Sequence, residues 1–149
     1  MPDPDFDTRV KLAIYRHLAD TTRAPSLQEV AECVRASSSQ VEEGYARLCR
    51  NRVLVLESDG VTIRMAPPFS GVATQHRVRV GDKEYFANCA WDALGVPAAL
   101  HAPGDVLSRC EQSGEPIHLY VHENGPDPEP CVIHFAVPAA LWWKDIVYT

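Results

Sequence analysis

Apolar positions near the N-terminus follow a helical period. After Asp7, Leu12, Ala13, Tyr15, Leu18 and Ala19 fall on one stripe. Ser26 with Glu29 has the spacing of a capping box, and Val30, Ala31 and Val34 supply the stripe behind it. Ser39 with Glu42 repeats the box, followed by Val41, Tyr45 and Leu48. The run Val53–Leu56 predicts a strand, Ser58-Asp59-Gly60 a turn and Val61–Arg64 the return strand. Three helices and a hairpin make a winged-helix-like unit over residues 1–66.

Pro67-Pro68-Phe69-Ser70-Gly71 predicts a linker, and the pattern changes beyond it. His76–Val80 alternates like a strand and Gly81-Asp82-Lys83 reads as a turn. Asn88–Leu100 reads as a helix interrupted by Gly95 and Pro97. Val106–Cys110 and Ile117–His122 predict strands on either side of a Gln112–Glu115 turn. Asn124–Pro130 predicts a loop, Cys131–Val137 a strand and Pro138–Trp143 a short helix. The fold class is α+β: the helical unit, then a small mixed-sheet domain over residues 67–149.

Composition narrows the function classes. With 149 residues, 46% of them hydrophobic, the chain can bury a core. No run approaches the roughly 20 apolar residues of a membrane helix. The acidic, turn-rich opening Met1–Asp5 does not resemble a signal peptide, so a cytoplasmic location is expected. The net charge of −6 disfavours a nucleic-acid binder. Nine basic residues face ten acidic ones up to Met65, and the third helix opens with Gln40, Glu42 and Glu43, which would face phosphate. The odd count of five cysteines argues for free thiols.

Those thiols direct attention to Asn88-Cys89-Ala90-Trp91-Asp92. With Asn88 as N-cap, Cys89 falls in the first helical turn, where backbone N–H groups and the helix dipole favour a thiolate. Asp92, three residues on, shares its face. A carboxyl against Trp91 and Leu94 has a raised pKa and suits an acid. The plainer alternative is a buried structural cysteine beside an aspartate that caps the turn. Cys33 and Cys49 read as core, as does Cys131 at the head of its strand. Zinc has little support. His118 and His122 lie far apart along a strand, and only a neighbouring strand would bring His134 to His118.

The block Asn88–Ala98, followed by Cys110-Glu111-Gln112-Ser113-Gly114-Glu115-Pro116, resembles the organomercurial (alkylmercury) lyase family. That family has a Cys-x-x-Asp helix with a downstream Pro-Ala, then a Cys-x-x-(Thr/Ser)-Gly-x-Pro turn. The resemblance implies protonolysis of a carbon–mercury bond, giving a hydrocarbon and Hg(II). Cys89 attacks and holds the mercury, and Asp92, which also meets the metal, passes the proton to the leaving carbon. It implies no organic cofactor, with low-molecular thiols or a mercuric reductase receiving the Hg(II). The family's Cys-x-x-(Thr/Ser) cysteine, here Cys110, is regarded as structural. The family's second catalytic cysteine follows a segment like Trp143–Thr149 and is absent from that stretch. The internal candidates for a further thiol are Cys131 and Cys110. The alternative function is a non-catalytic soft-metal-binding or sensor protein with a winged-helix module.

Overall fold

The computed structural model describes residues 4–128 and 130–148. It begins with helices α1 (Pro4–Thr21), α2 (Leu27–Val34) and α3 (Ser38–Arg50). The buried stripe of α1 is Val10, Ala13, Ile14 and Leu18, with Leu12 turned outward. Helix α2 starts at the predicted box: Ser26 accepts from the Glu29 amide, and the Glu29 side chain takes the Ser26 amide. Helix α3 starts two residues earlier than its pattern suggested, because the working box is Ser37 with Gln40. The Ser39–Glu42 spacing is a coincidence inside the helix.

Val10, Ile14, Leu18, Val30, Val41, Tyr45 and Leu48 form the core among these helices. Arg47 of α3 binds Asp7 of α1 through Nε and Nη2, the shortest contact being 2.7 Å. One of the three arginines late in α3 and its C-cap region is therefore committed to holding two helices together.

Strands β1 (Val55–Leu56), β2 (Ile63–Ala66) and β3 (Phe69–Ser70) form an antiparallel sheet in that order. The expected linker is thus a buried strand. Phe69 is 3% exposed, and its ring lies between those of Tyr15 at 6.2 Å and Tyr85 at 5.7 Å. These two ring contacts outweigh the turn-forming character of the two prolines before it.

A second antiparallel sheet has the order β5-β4-β6-β7-β8. Its strands are β4 (Arg77–Val80), β5 (Lys83–Phe86), β6 (Gly104–Arg109), β7 (Pro116–His122) and β8 (Gly125–Pro126). Val78, Tyr85, Val106 and Val121 are its buried hydrophobic side chains. Helix α4 (Ala90–Leu100) packs on β4 and β6 through Ala93, Val96 and Pro97. The helix runs through Pro97 rather than breaking there. An added Cβ at Gly104 would lie 2.7 Å from the Arg79 carbonyl oxygen, 2.8 Å from Val80 Cγ2 and 3.3 Å from Pro97 Cγ, so the glycine lets β6 lie close to β4 beneath the ring. Tyr85 Oη and Lys83 Nζ both donate to the carbonyl of Ala19 (2.7 and 3.1 Å), tying β5 to the last turn of α1.

The chain from 130 to 138 contains no strand, which corrects the predicted Cys131–Val137 strand. Val132 is 91% exposed, so that run has no partner face to bury. His134 is also exposed and lies on no strand beside His118, which instead contacts Asp105 at 2.6 Å. The last element is a 3-10 helix, Ala139–Lys144. No helix among the described residues is long and apolar enough to cross a membrane.

Candidate active site

The junction between β5 and α4 is pinned from two sides. Ala87 pairs with Phe69 of β3, its amide donates to the His76 carbonyl (2.9 Å), and its carbonyl accepts from Thr74 Oγ1 (2.6 Å). The two residues that follow are therefore held where both sheets meet. Cys89, rather than Asn88, is the N-cap of α4. It is extended (φ −151°, ψ 179°), and its Sγ accepts from the Asp92 amide at 3.5 Å. Sulfur is a weak acceptor, so the sequence points to asparagine as the better cap.

Asn88 has another task. Its Nδ2 donates to the Phe69 carbonyl at 3.2 Å and to Asp92 Oδ2 at 2.9 Å. Its Oδ1 is buried without a partner among the described residues. Helix α4 approaches the β2–β3 turn closely, since an added Cβ on Gly95 would lie 3.3 Å from Pro68 Cβ.

Cys89 and Asp92 are both half-buried, and burial sets their protonation. The Cys89 thiol is pushed up from its ordinary value, first by burial. The Asp92 amide pulls it down, but the Asp92 charge pushes it up again. The helix N-terminus was expected to favour a thiolate. Here desolvation and a neighbouring acid outweigh the dipole. Burial also raises the Asp92 carboxyl above the ordinary aspartate value, while the Asn88 hydrogen bond draws it back. The thiol and the carboxyl thus both resist ionisation, three residues apart on one turn of α4.

Tyr15 was not a candidate from the sequence. Burial and the Asp92 charge push its hydroxyl up to about 12, and that hydroxyl donates to the Pro67 carbonyl at 2.9 Å. Nothing local in sequence signals this approach, which spans 52 residues to Pro67.

The remaining thiols are dispersed. Cys110 sits at the β6–β7 turn, where hydrogen bonds from the Ser113 side chain and amide hold its pKa below the usual thiol value. Cys131 is exposed and outside any strand, as opposed to the buried strand residue expected. Cys33 is exposed as well, while Cys49 is half-buried against the core. Among the described residues, no three His, Cys, Asp or Glu side chains group as a metal site.

A cavity of about 490 Å³ lies between Trp91 and the segment Phe135–Trp142. Trp142 is fixed there by its indole N–H on the Val137 carbonyl (3.0 Å). Trp91 belongs to the same helical turn as Asp92, but neither Cys89 nor Asp92 lines the cavity.

The sequence model of the MerB alkylmercury lyase family matches residues 69–149, more than half of the chain. The chain belongs to the alkylmercury lyase family. Cys89, Asp92 and Cys110 all lie inside the matched region. Alkylmercury lyases of Bacillus cereus and Clostridium butyricum are each 33% identical to it over 70 residues. That match covers 45% of this chain and 32% of each relative, so it spans about a third of those enzymes' length. The crystal structure of the mercury-bound form of MerB2 has a similar fold. Its TM-score is 0.65 at 22% identity, over 85% of this chain and 60% of that one.

Proposed function

We propose that this alkylmercury lyase family member cleaves the carbon–mercury bond of organomercurials by protonolysis at Cys89 and Asp92. The observation that carries this reading is the pairing of a capping thiol and a half-buried carboxyl on one turn of α4, with burial disfavouring charge on both.

The Cys89 thiol gives its proton to the Asp92 carboxylate as its sulfur bonds to mercury. Sulfur is the soft ligand that mercury prefers. The mercury–carbon bond then breaks with its electron pair on carbon, and carbon takes the proton from Asp92. The balance is one thiol and one organomercurial in, one hydrocarbon and one sulfur-bound mercury out. A carboxyl with a raised pKa holds that proton until the carbon needs it. The chemistry requires no organic cofactor.

Mercury then leaves Cys89 by exchange with low-molecular thiols or with a mercuric reductase. Cys110 and Cys131 are the internal thiols available for a transient second bond. Cys110 is favoured by its depressed pKa and Cys131 by its exposure. This reading treats the winged-helix-like N-terminal unit as a packing module that buttresses the site, with Tyr15 touching Pro67 and Phe69 as its point of contact.

The test is hydrocarbon release from phenylmercury with excess thiol, comparing wild type, Cys89→Ser and Asp92→Ala. Release in the wild type that vanishes in both variants supports the reading. Release that persists in Cys89→Ser refutes it.

A further inference from the structure

We propose that Asn88 is the positioning residue for proton delivery, orienting the Asp92 carboxyl so that Oδ1 carries the transferable proton. This inference rests on the lyase reading and adds a residue to it.

The reasoning starts from what each atom can do. The Phe69 carbonyl is only an acceptor, so the atom of Asn88 facing it at 3.2 Å is the nitrogen. The second hydrogen on that nitrogen points to Asp92 Oδ2 at 2.9 Å. Oδ2 is therefore an acceptor, and since the carbonyl oxygen of a protonated carboxyl accepts better than its hydroxyl oxygen, the hydrogen of a protonated Asp92 is favoured on Oδ1. The Phe69 carbonyl is itself held in place, because β3 pairs with β2 and Phe69 bridges Ala87. One amide thus fixes the tilt of the carboxyl and distinguishes its two oxygens. The arrangement leaves Asn88 Oδ1 buried without a partner among the described residues. Leaving a buried acceptor unpaired is costly, so the two donor bonds of the amide outweigh it at this position.

In the reaction, the Cys89 S–H bond breaks and the proton moves to Asp92 Oδ1 while the S–Hg bond forms. The Hg–C bond then breaks and the same proton moves to carbon. Asn88 exchanges no atom in either step. Its loss leaves sulfur–mercury bonding intact, because solvent can take the thiol proton in that step, and impairs the second proton transfer, which needs a donor aimed at carbon.

The experiment follows phenylmercury with the full chain as wild type, Asn88→Asp and Asn88→Ala. Intact mass records the protein–mercury–phenyl adduct, and gas chromatography records benzene. Asn88→Asp keeps the size and removes both amide donors, so it decides the matter if Asn88→Ala does not fold. Both variants are expected to form the adduct at the wild-type level. Benzene release is expected to slow by about 100-fold, the scale of a misplaced reacting group. KM should stay within about twofold, as for an interaction made only in the transition state. Benzene release at the wild-type rate in Asn88→Asp overturns the inference and leaves the lyase reading standing. Adduct formation lost in step with release, in a variant that melts normally, also overturns it. A wild type that yields no benzene refutes the lyase reading, and this inference falls with it.

Discussion

Phe69 separates two descriptions of the chain. In a solvated linker, Phe69→Ala changes stability by no more than about 0.5 kcal/mol. In the structure, Phe69 is 3% exposed and touches rings from α1 and β5. Burying a phenylalanine side chain contributes about 1.5–3 kcal/mol in transfer free energy. The cavity left behind brings Phe→Ala to about 3–5 kcal/mol. That is a large fraction of the roughly 5–15 kcal/mol that holds a domain folded. Urea unfolding followed by tryptophan fluorescence measures it, with the midpoint shift read at constant slope. The edge-to-face pair with Tyr15 and the tilted pair with Tyr85 add a second readout. A double-mutant cycle of Phe69→Ala with Tyr15→Leu should give a coupling of about 0.5–1.5 kcal/mol. A loss below about 1 kcal/mol with no coupling would show that β3 is not part of the core. The buttressing role of the N-terminal unit would fail with it.

Asp92→Asn should raise the melting temperature at pH 7 while abolishing hydrocarbon release. Burial lifts the folded carboxyl above its unfolded value, so native Asp92 loses stability as pH rises from about 4 through its folded pKa. The wild type should lose more stability between pH 4 and pH 7 than the variant, and equal losses would contradict the direction of the shift. Brief iodoacetamide labelling at pH 7, mapped by peptide mass, should modify Cys110 well before Cys89, because their pKa shifts are opposite. Ser113→Ala should slow the labelling of Cys110. Gly71→Ala should cost about 4 kcal/mol or more, since the new Cβ would sit 2.0 Å from the Ile63 carbonyl oxygen. A thermal melt suffices to check it, and an unchanged midpoint would mean that β2 and its neighbour are less closely packed.

What the sequence revealed was local. The Ser26 box, the Asp59-Gly60 turn and the alternation of Ile117–His122 depend on neighbours within a few residues, and all appear in the structure. The contact between Cys89 and Asp92 on one helical turn was legible for the same reason, being three residues apart. What failed depended on partners distant in sequence. Phe69 reads as linker because its partners are Tyr15, Tyr85 and Ala87. Asn88 reads as a cap because its real acceptor, the Phe69 carbonyl, is 19 residues away. The run Cys131–Val137 has strand-like composition but no strand beside it, so its alternation describes no buried face. The direction of the Cys89 shift was missed because dipole arguments follow from position in a helix, whereas desolvation depends on what covers the helix end.

In the proposed reaction one atom serves Cys89 twice, as the helix cap seen in the structure and as the nucleophile. Serine, asparagine and aspartate are far better caps than a thiol at 3.5 Å. Exchange of the sulfur for oxygen would therefore leave the helix end as sound as before or sounder, while removing the soft ligand. Folding assays are blind to such a loss. Expression level, solubility and melting point would rank an inert variant alongside a working one. Any library screen or survey of natural variants built on this scaffold must read the thiol chemistry directly.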